Sequence, residues 1–117
     1  MAKRVLFADD NRVVRSIIKN FLTTNMDLVW EEAADGCEAV EHANQSKPDL
    51  IILDFSMPKM NGAQAAQALK RSMPEVPIVL YTMFELPLKI VQEIGFDAVV
   101  SKSSGITRLA ECVRSLL

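Results

Sequence analysis

The stretch from Leu50 to Gly62, LIILDFSMPKMNG, limits what this chain can fold into more than any other. Four consecutive apolar residues, Leu50 to Leu53, run directly into the carboxylate of Asp54. Met57-Pro58 and Asn61-Gly62 then interrupt any regular continuation. A short unbroken apolar run between turn signals suits a strand buried on both faces, as in a parallel sheet covered by helices. Such a sheet gathers its ligands at the carboxyl ends of its strands, where Asp54 would stand. On this stretch alone two readings of Asp54 stay open: a turn residue, since Asp is common in turns, or a functional carboxylate.

The 117 residues suit one domain, residues 1–117, with a single core. A formal net charge of -2 provides no basic field for nucleic acid, so no nucleic-acid binding is expected of this chain alone. The apolar run Val5–Ala8 after Lys3-Arg4 is too short for a signal peptide. No window approaches the ~18 apolar residues of a membrane helix. The expectation is a soluble cytoplasmic protein with no membrane partner. Cys37 and Cys112 stand far apart without metal-like spacing, and a disulfide is not expected in a reducing compartment. His42 is the one histidine, too little for a His-based zinc site or a Ser-His-Asp triad; a solvated helix position is expected for it.

From the amino end, Arg4–Ala8 reads as a buried strand ending at Asp9-Asp10-Asn11, with Asn11 placed to cap a helix. In that helix Val14, Ile17, Ile18, Phe21 and Leu22 form one apolar face, leaving Arg12, Arg15 and Lys19 to water. Residues 28–33, LVWEEA, predict a strand with a polar side near a sheet edge. Asp35-Gly36 turns into a weakly amphipathic helix carrying Ala39, Val40 and Ala43, which ends at Lys47-Pro48-Asp49. After the central strand a helix from Ala63 to about Met73 buries Ala65, Ala66, Leu69 and Met73, and Pro74 closes it. Pro77–Tyr81 is another buried strand, ending at Thr82. A short helix follows with Pro87 in its first turn and Gly95 past its end. Ala98–Val100 is the last strand, ending at Ser101-Lys102, and Thr107 is expected to cap a final helix buried through Leu109, Ala110, Val113, Leu116 and Leu117. Strand and helix alternate five times, which predicts an α/β fold with a parallel sheet covered on both faces.

If strands one, three, four and five are neighbours, their carboxyl ends carry Asp9, Asp10, Asp54, Thr82 and Lys102 to one rim. Two carboxylates ~5 Å apart at an effective dielectric near 20 repel by roughly 3 kcal/mol. A raised pKa or a bound cation relieves that repulsion. A hard divalent ion suits oxygen ligands, and Mg²⁺ keeps positions for phosphate oxygens and water. A carboxylate there can attack phosphorus, with the metal, an ammonium and a hydroxyl stabilising the transferring group.

Taken together, Asp9-Asp10, Leu53-Asp54 through Met57-Pro58 to Asn61-Gly62, Thr82 and Lys102 resemble the receiver domain of a bacterial two-component response regulator over the whole chain. The resemblance implies the flavodoxin-like (βα)5 fold with strand order 2-1-3-4-5, an order the general rule itself illustrates with this family. It implies that Asp54 accepts a phosphoryl group from the phosphohistidine of a sensor histidine kinase. Asp10, Asp54 and the backbone carbonyl of Ser56 would hold Mg²⁺ or Mn²⁺, with Asp9 acting through a bound water. Lys102 would contact the phosphoryl oxygens, and Thr82 would swing in to hydrogen-bond them. The surface of the fourth helix, fifth strand and fifth helix would change and serve a homodimer or an output domain absent from this chain. Such a protein is a phosphoacceptor switch, not a turnover enzyme.

Three positions depart from the family pattern. Val99 stands where an aromatic switch residue is common, which moves any coupling to the backbone or the loops. Ser103 replaces a common proline after the lysine; a cis bond there costs ~2.5–4 kcal/mol without proline, so a trans bond or a different loop is expected. The segment from Thr82 to Lys102 is short, and Phe84, Leu86, Leu88 and Ile90 put apolar area near the output surface. Core packing and an exposed contact patch are both open for that set. Phe84, two residues past Thr82, is expected to obstruct the water that would hydrolyse the phosphoryl group. A competing reading is a receiver-like interaction module that acts without phosphorylation. A flavin carrier on the same fold is disfavoured, because Asp9-Asp10-Asn11 would repel a phosphate.

Overall fold

The computed structural model describes residues 2–117. Five strands, β1 (Lys3–Ala8), β2 (Leu28–Ala33), β3 (Leu50–Leu53), β4 (Ile78–Thr82) and β5 (Ala98–Ser101), form one parallel sheet in the order β2-β1-β3-β4-β5. Five helices connect them: α1 (Arg12–Asn25), α2 (Gly36–Ser46), α3 (Gly62–Ser72), α4 (Leu88–Ile94) and α5 (Ile106–Leu116). This is the flavodoxin-like order that the family resemblance implies; the parallel sheet itself follows from the alternation of strand and helix, and LVWEEA lies on the sheet edge as expected.

Side chains alternate across each strand and feed two cores. Leu6, Ala8, Ile51, Leu53 and Ile78 meet α2, α3 and Ile94 of α4 on one face. Val5, Phe7, Leu50, Ile52, Val79, Tyr81 and Val100 meet α1 and α5 on the other. The central strands β3 and β4 are therefore buried along their whole length.

Helix starts follow local chemistry. Asn11 caps α1 by accepting from the Val13 and Val14 N–H groups, and Asp35 caps α2 by accepting from Glu38. Asn61 and Gln64 cap α3 reciprocally. Several details differ from expectation. Ile17 is more than half exposed, because it lies at the margin of the α1 stripe while Ile18 and Leu22 face the sheet. Arg15 is not in water; its side chain is only 15% exposed and folds back over the strand ends. Pro87 occupies the cap position of α4 rather than its first turn. Gly105, with φ 93°, occupies the cap position of α5, which puts Thr107 inside the first turn rather than at the cap. His42 leans from α2 towards β2, its Nε2 3.3 Å from Glu31 Oε1, so it is only partly solvated. Both cysteines are free. No peptide bond among the described residues is cis, the Lys102–Ser103 bond included, and Lys102–Ser104 form one 3₁₀ turn.

The apolar set beyond β4 is divided. Phe84, Leu88 and Ile90 are exposed and Leu86 is half-buried, with Met83 and Val99 exposed beside them. No described helix is long and apolar enough to cross a membrane.

Candidate functional site

The site grows out of strand register. Asp9 follows β1 and Asp54 follows β3, and the sheet ladder extends one step to hold them: the Asp9 N–H donates to Ala33 O at 3.1 Å and the Asp54 N–H to Ala8 O at 2.9 Å. Because β1 and β3 are neighbours in the sheet, the two carboxylates arrive side by side. Asp9 is 1% exposed and Asp54 7%, whereas Asp10 is exposed. One carboxylate oxygen from each of Asp9, Asp10 and Asp54 lies within 4.8 Å of the other two.

Lys102 leaves β5 and crosses to these acids. Its Nζ donates to Asp9 Oδ2 at 2.8 Å and lies 3.5 Å from Asp54 Oδ1, above the Tyr81 ring. The amine is thus bound first to Asp9, the more deeply buried acid. Asp9 Oδ1 accepts the Asn11 N–H at 2.9 Å, so both Asp9 oxygens are engaged. Thr82 ends β4, the strand beside β3, and is fully buried; its Oγ1 accepts the Phe84 N–H at 3.1 Å and so holds its own loop. Ser56 is exposed in the loop after Asp54.

That loop is tightly folded. The Met60 N–H donates to Pro58 O at 2.7 Å across Lys59, whose φ is 68°, and the Gly62 N–H donates to Phe55 O at 2.8 Å. A Cβ on Gly62 would stand 2.4 Å from Asp54 O, so only glycine lets α3 begin against the acid's own backbone. Gly36 has the same role towards Met60, whose carbonyl oxygen a Cβ would meet at 2.0 Å, and Lys59 Nζ reaches Asp35 at 3.6 Å.

Burial is the main influence raising the Asp54 pKa; the Lys102 charge opposes it, the Asp9 charge adds to it, and the Phe55 N–H lowers it. Burial would lower the Lys102 pKa, but the hydrogen bond to Asp9 and the charge of Asp54 outweigh it and hold the amine protonated to higher pH. Clustered carboxylate oxygens, two of them buried, form a hard donor set that fits Mg²⁺ or Mn²⁺.

The structure therefore brings Asp9, Asp10, Asp54 and Lys102 together. Thr82 stands at the adjoining strand end, with its hydroxyl engaged by its own loop. Two participants escaped sequence reasoning. Arg15 donates from Nη1 to the Asp9 carbonyl oxygen at 2.7 Å; its place four residues after the Asn11 cap, hence one turn along α1, was the available signal. Phe55 meets Phe84 edge to face, ring centroids 5.9 Å apart, a contact between two loops that no local pattern announces.

Comparison with known proteins follows the same lines. Residues 5–114 match the response regulator receiver domain family. The response regulator protein VraR of Staphylococcus epidermidis is 34% identical over 97% of this chain and 56% of its own length. The chain thus spans about half the length of the curated relatives it matches. The chemotaxis protein CheY4 of Vibrio cholerae superposes with a TM-score of 0.90 at 26% identity, covering all of both chains. A DNA-binding response regulator of the LuxR family from Staphylococcus aureus superposes equally well, TM-score 0.90, over 97% of this chain and 98% of that one; at 20% identity it speaks for the fold alone.

Proposed function

For this chain, which belongs to the response regulator receiver domain family of two-component signalling, we propose a switch set by phosphorylation of Asp54. The observation that carries the reading is the convergence of three carboxylates within 4.8 Å of one another with the Lys102 amine seated on two of them. An acid cluster already paired with a cation can exchange that pairing for a divalent metal and an incoming phosphoryl group.

In this reading Asp10, Asp54 and the Ser56 carbonyl would hold Mg²⁺ or Mn²⁺, and Asp9 would act through a bound water. When bound, the metal would neutralise charge on the transferring phosphoryl oxygens. An Asp54 oxygen attacks phosphorus; the new P–O bond forms as the P–N bond to the kinase histidine breaks, and the electron pair leaves with the imidazole. Lys102 moves its ammonium from Asp9 to the phosphoryl oxygens. Thr82 turns its hydroxyl to the same oxygens and gives up the Phe84 N–H, which frees the loop that Phe84 anchors against Phe55. The phosphoryl group brings about two negative charges, by analogy with phosphoserine, and biases an existing equilibrium of this loop and of the α4–β5–α5 surface. The protein assists its own phosphorylation and dephosphorylation and turns over no separate substrate.

The protein acts in the cytoplasm with a sensor histidine kinase as the donor, and the greater length of the VraR relative supports an output domain as the recipient of the signal. A homodimer through the α4–β5–α5 surface is consistent with its exposed Leu88, Ile90 and Val99. Incubation with acetyl phosphate and Mg²⁺, followed by intact mass measurement, tests the reading. The expected result is a gain of one phosphoryl group that Asp54→Ala abolishes. No gain in the wild type favours an interaction module that works without phosphorylation.

A further inference from the structure

We propose that Arg15 is a positioning residue that sets the affinity of the acidic cluster for a divalent cation by holding the backbone between β1 and α1. The proposal rests on the metal-dependent reading above. Asp10 is exposed, and among the described residues its carboxylate has no hydrogen-bonding or ionic partner, so its placement follows from the backbone on either side. That backbone is gripped at Asp9. Lys102 holds the Asp9 carboxylate, and Arg15 Nη1 holds the carbonyl that leads into Asp10 at 2.7 Å.

The guanidinium is held in turn. Arg15 Nε donates to Glu32 Oε1 at 3.0 Å, and Glu32 Oε2 accepts the Trp30 indole N–H at 2.9 Å. The Trp30 ring stacks on Phe7, centroids 5.7 Å apart, and Phe7 is fully buried two residues before Asp9. The contacts therefore close a circuit: from β1 through Phe7 to the edge strand, along Trp30 and Glu32, across Arg15, and back to the end of β1. A rigid guanidinium fork can serve a carboxylate and a carbonyl at once, which a single ammonium does less well. An ordinary surface ion pair contributes little to stability and has its shortest contact with the carboxylate. Here the shortest contact goes to the carbonyl. The carboxylate that Arg15 pairs with is Glu32, and its contact with the cluster is to the Asp9 carbonyl, so Arg15 works through the backbone.

The test titrates Mg²⁺ alone into the wild type, Arg15→Met and Arg15→Lys by calorimetry, with emission of Trp30, the one tryptophan, recorded alongside. Groups that orient metal ligands typically cost ten- to hundredfold in affinity when removed, and Arg15→Met is expected to weaken Mg²⁺ binding by roughly tenfold. At saturating Mg²⁺ its rate of phosphoryl uptake from acetyl phosphate should stay within about twofold of wild type, a split between binding and chemistry that general destabilisation does not produce. Arg15→Lys, which keeps one donor for the carbonyl, should recover part of the affinity. Mg²⁺ should alter Trp30 emission in the wild type through Glu32, and this response should disappear in Arg15→Met at saturation. Wild-type affinity in a folded Arg15→Met overturns the proposal, as does uptake slowed equally at every Mg²⁺ concentration with affinity unchanged. A wild type that neither binds Mg²⁺ nor takes up a phosphoryl group overturns the metal-dependent reading itself, a different failure from that of the variant alone.

Discussion

The half of the molecule around β1, β2 and β3 is pinned where the half around β4, α4 and β5 is not. Each helix that follows the first three strands begins with a side-chain cap, from Asn11, Asp35 or Asn61. Neither α4 nor α5 does; Pro87 and Gly105 stand at their cap positions without side-chain hydrogen bonds. A cap is worth typically about 1 kcal/mol, so the second half lacks local stabilisation that the first has. α4 is only seven residues long, and much of its apolar surface is turned to solvent. The acids sit on the pinned half and Thr82 opens the looser one. The contrast separates chemistry, which needs fixed ligands, from response, which needs an element whose two arrangements differ little in free energy.

The largest expected effect breaks the contrast at its bridge, Lys102. Lys102→Met removes the ammonium from Asp9 and Asp54 together and should slow phosphoryl uptake at saturating Mg²⁺ by ~10²–10³, the scale for losing one preorganised electrostatic contact. A mass time course reads it; near-wild-type uptake would show that the amine belongs to the pinned scaffold and not to the chemistry.

Next is the strain held on the pinned side. Burial raises the Asp54 pKa in the folded chain above its ordinary value of 3.8. The ionised carboxylate therefore costs stability once pH exceeds the raised value, and costs nothing below 3.8, where both states are protonated. Without Mg²⁺, Asp54→Asn should melt higher than wild type at pH 7, read by thermal denaturation. The gap should close as pH falls through the raised pKa. A gap that widens on acidification would reverse the sign of the argument.

Two substitutions probe the loose half. Phe84→Glu replaces the ring packed on Phe55 with a group able to order water. It should speed loss of the phosphoryl group by roughly tenfold, below the full contribution of a well-placed general base. Faster loss from wild type than from this variant would refute the obstruction. The smallest effect belongs to Leu88→Asn on exposed α4. Stability should change by no more than about 0.5 kcal/mol and uptake not at all, while association with a second copy or an output domain weakens in sedimentation. A large loss of stability would place Leu88 with the core instead.

Part of this protein is legible in its amino-acid sequence alone. Uninterrupted apolar runs reveal strands buried on both faces, and Asn11 announces a helix start, because those signals act within a few residues. The carboxylates at the ends of LIIL and of VLFA are visible for the same reason: a strand's last residue needs only the strand to locate it. Tertiary structure alone decided the rest. It seated the Lys102 amine on Asp9 before Asp54, turned Arg15 out of water onto the Asp9 carbonyl, brought Phe55 to Phe84, and left Leu88 and Ile90 uncovered. Each of these depends on distances between segments far apart in the chain, where burial and competing partners settle the outcome and local propensity has no bearing.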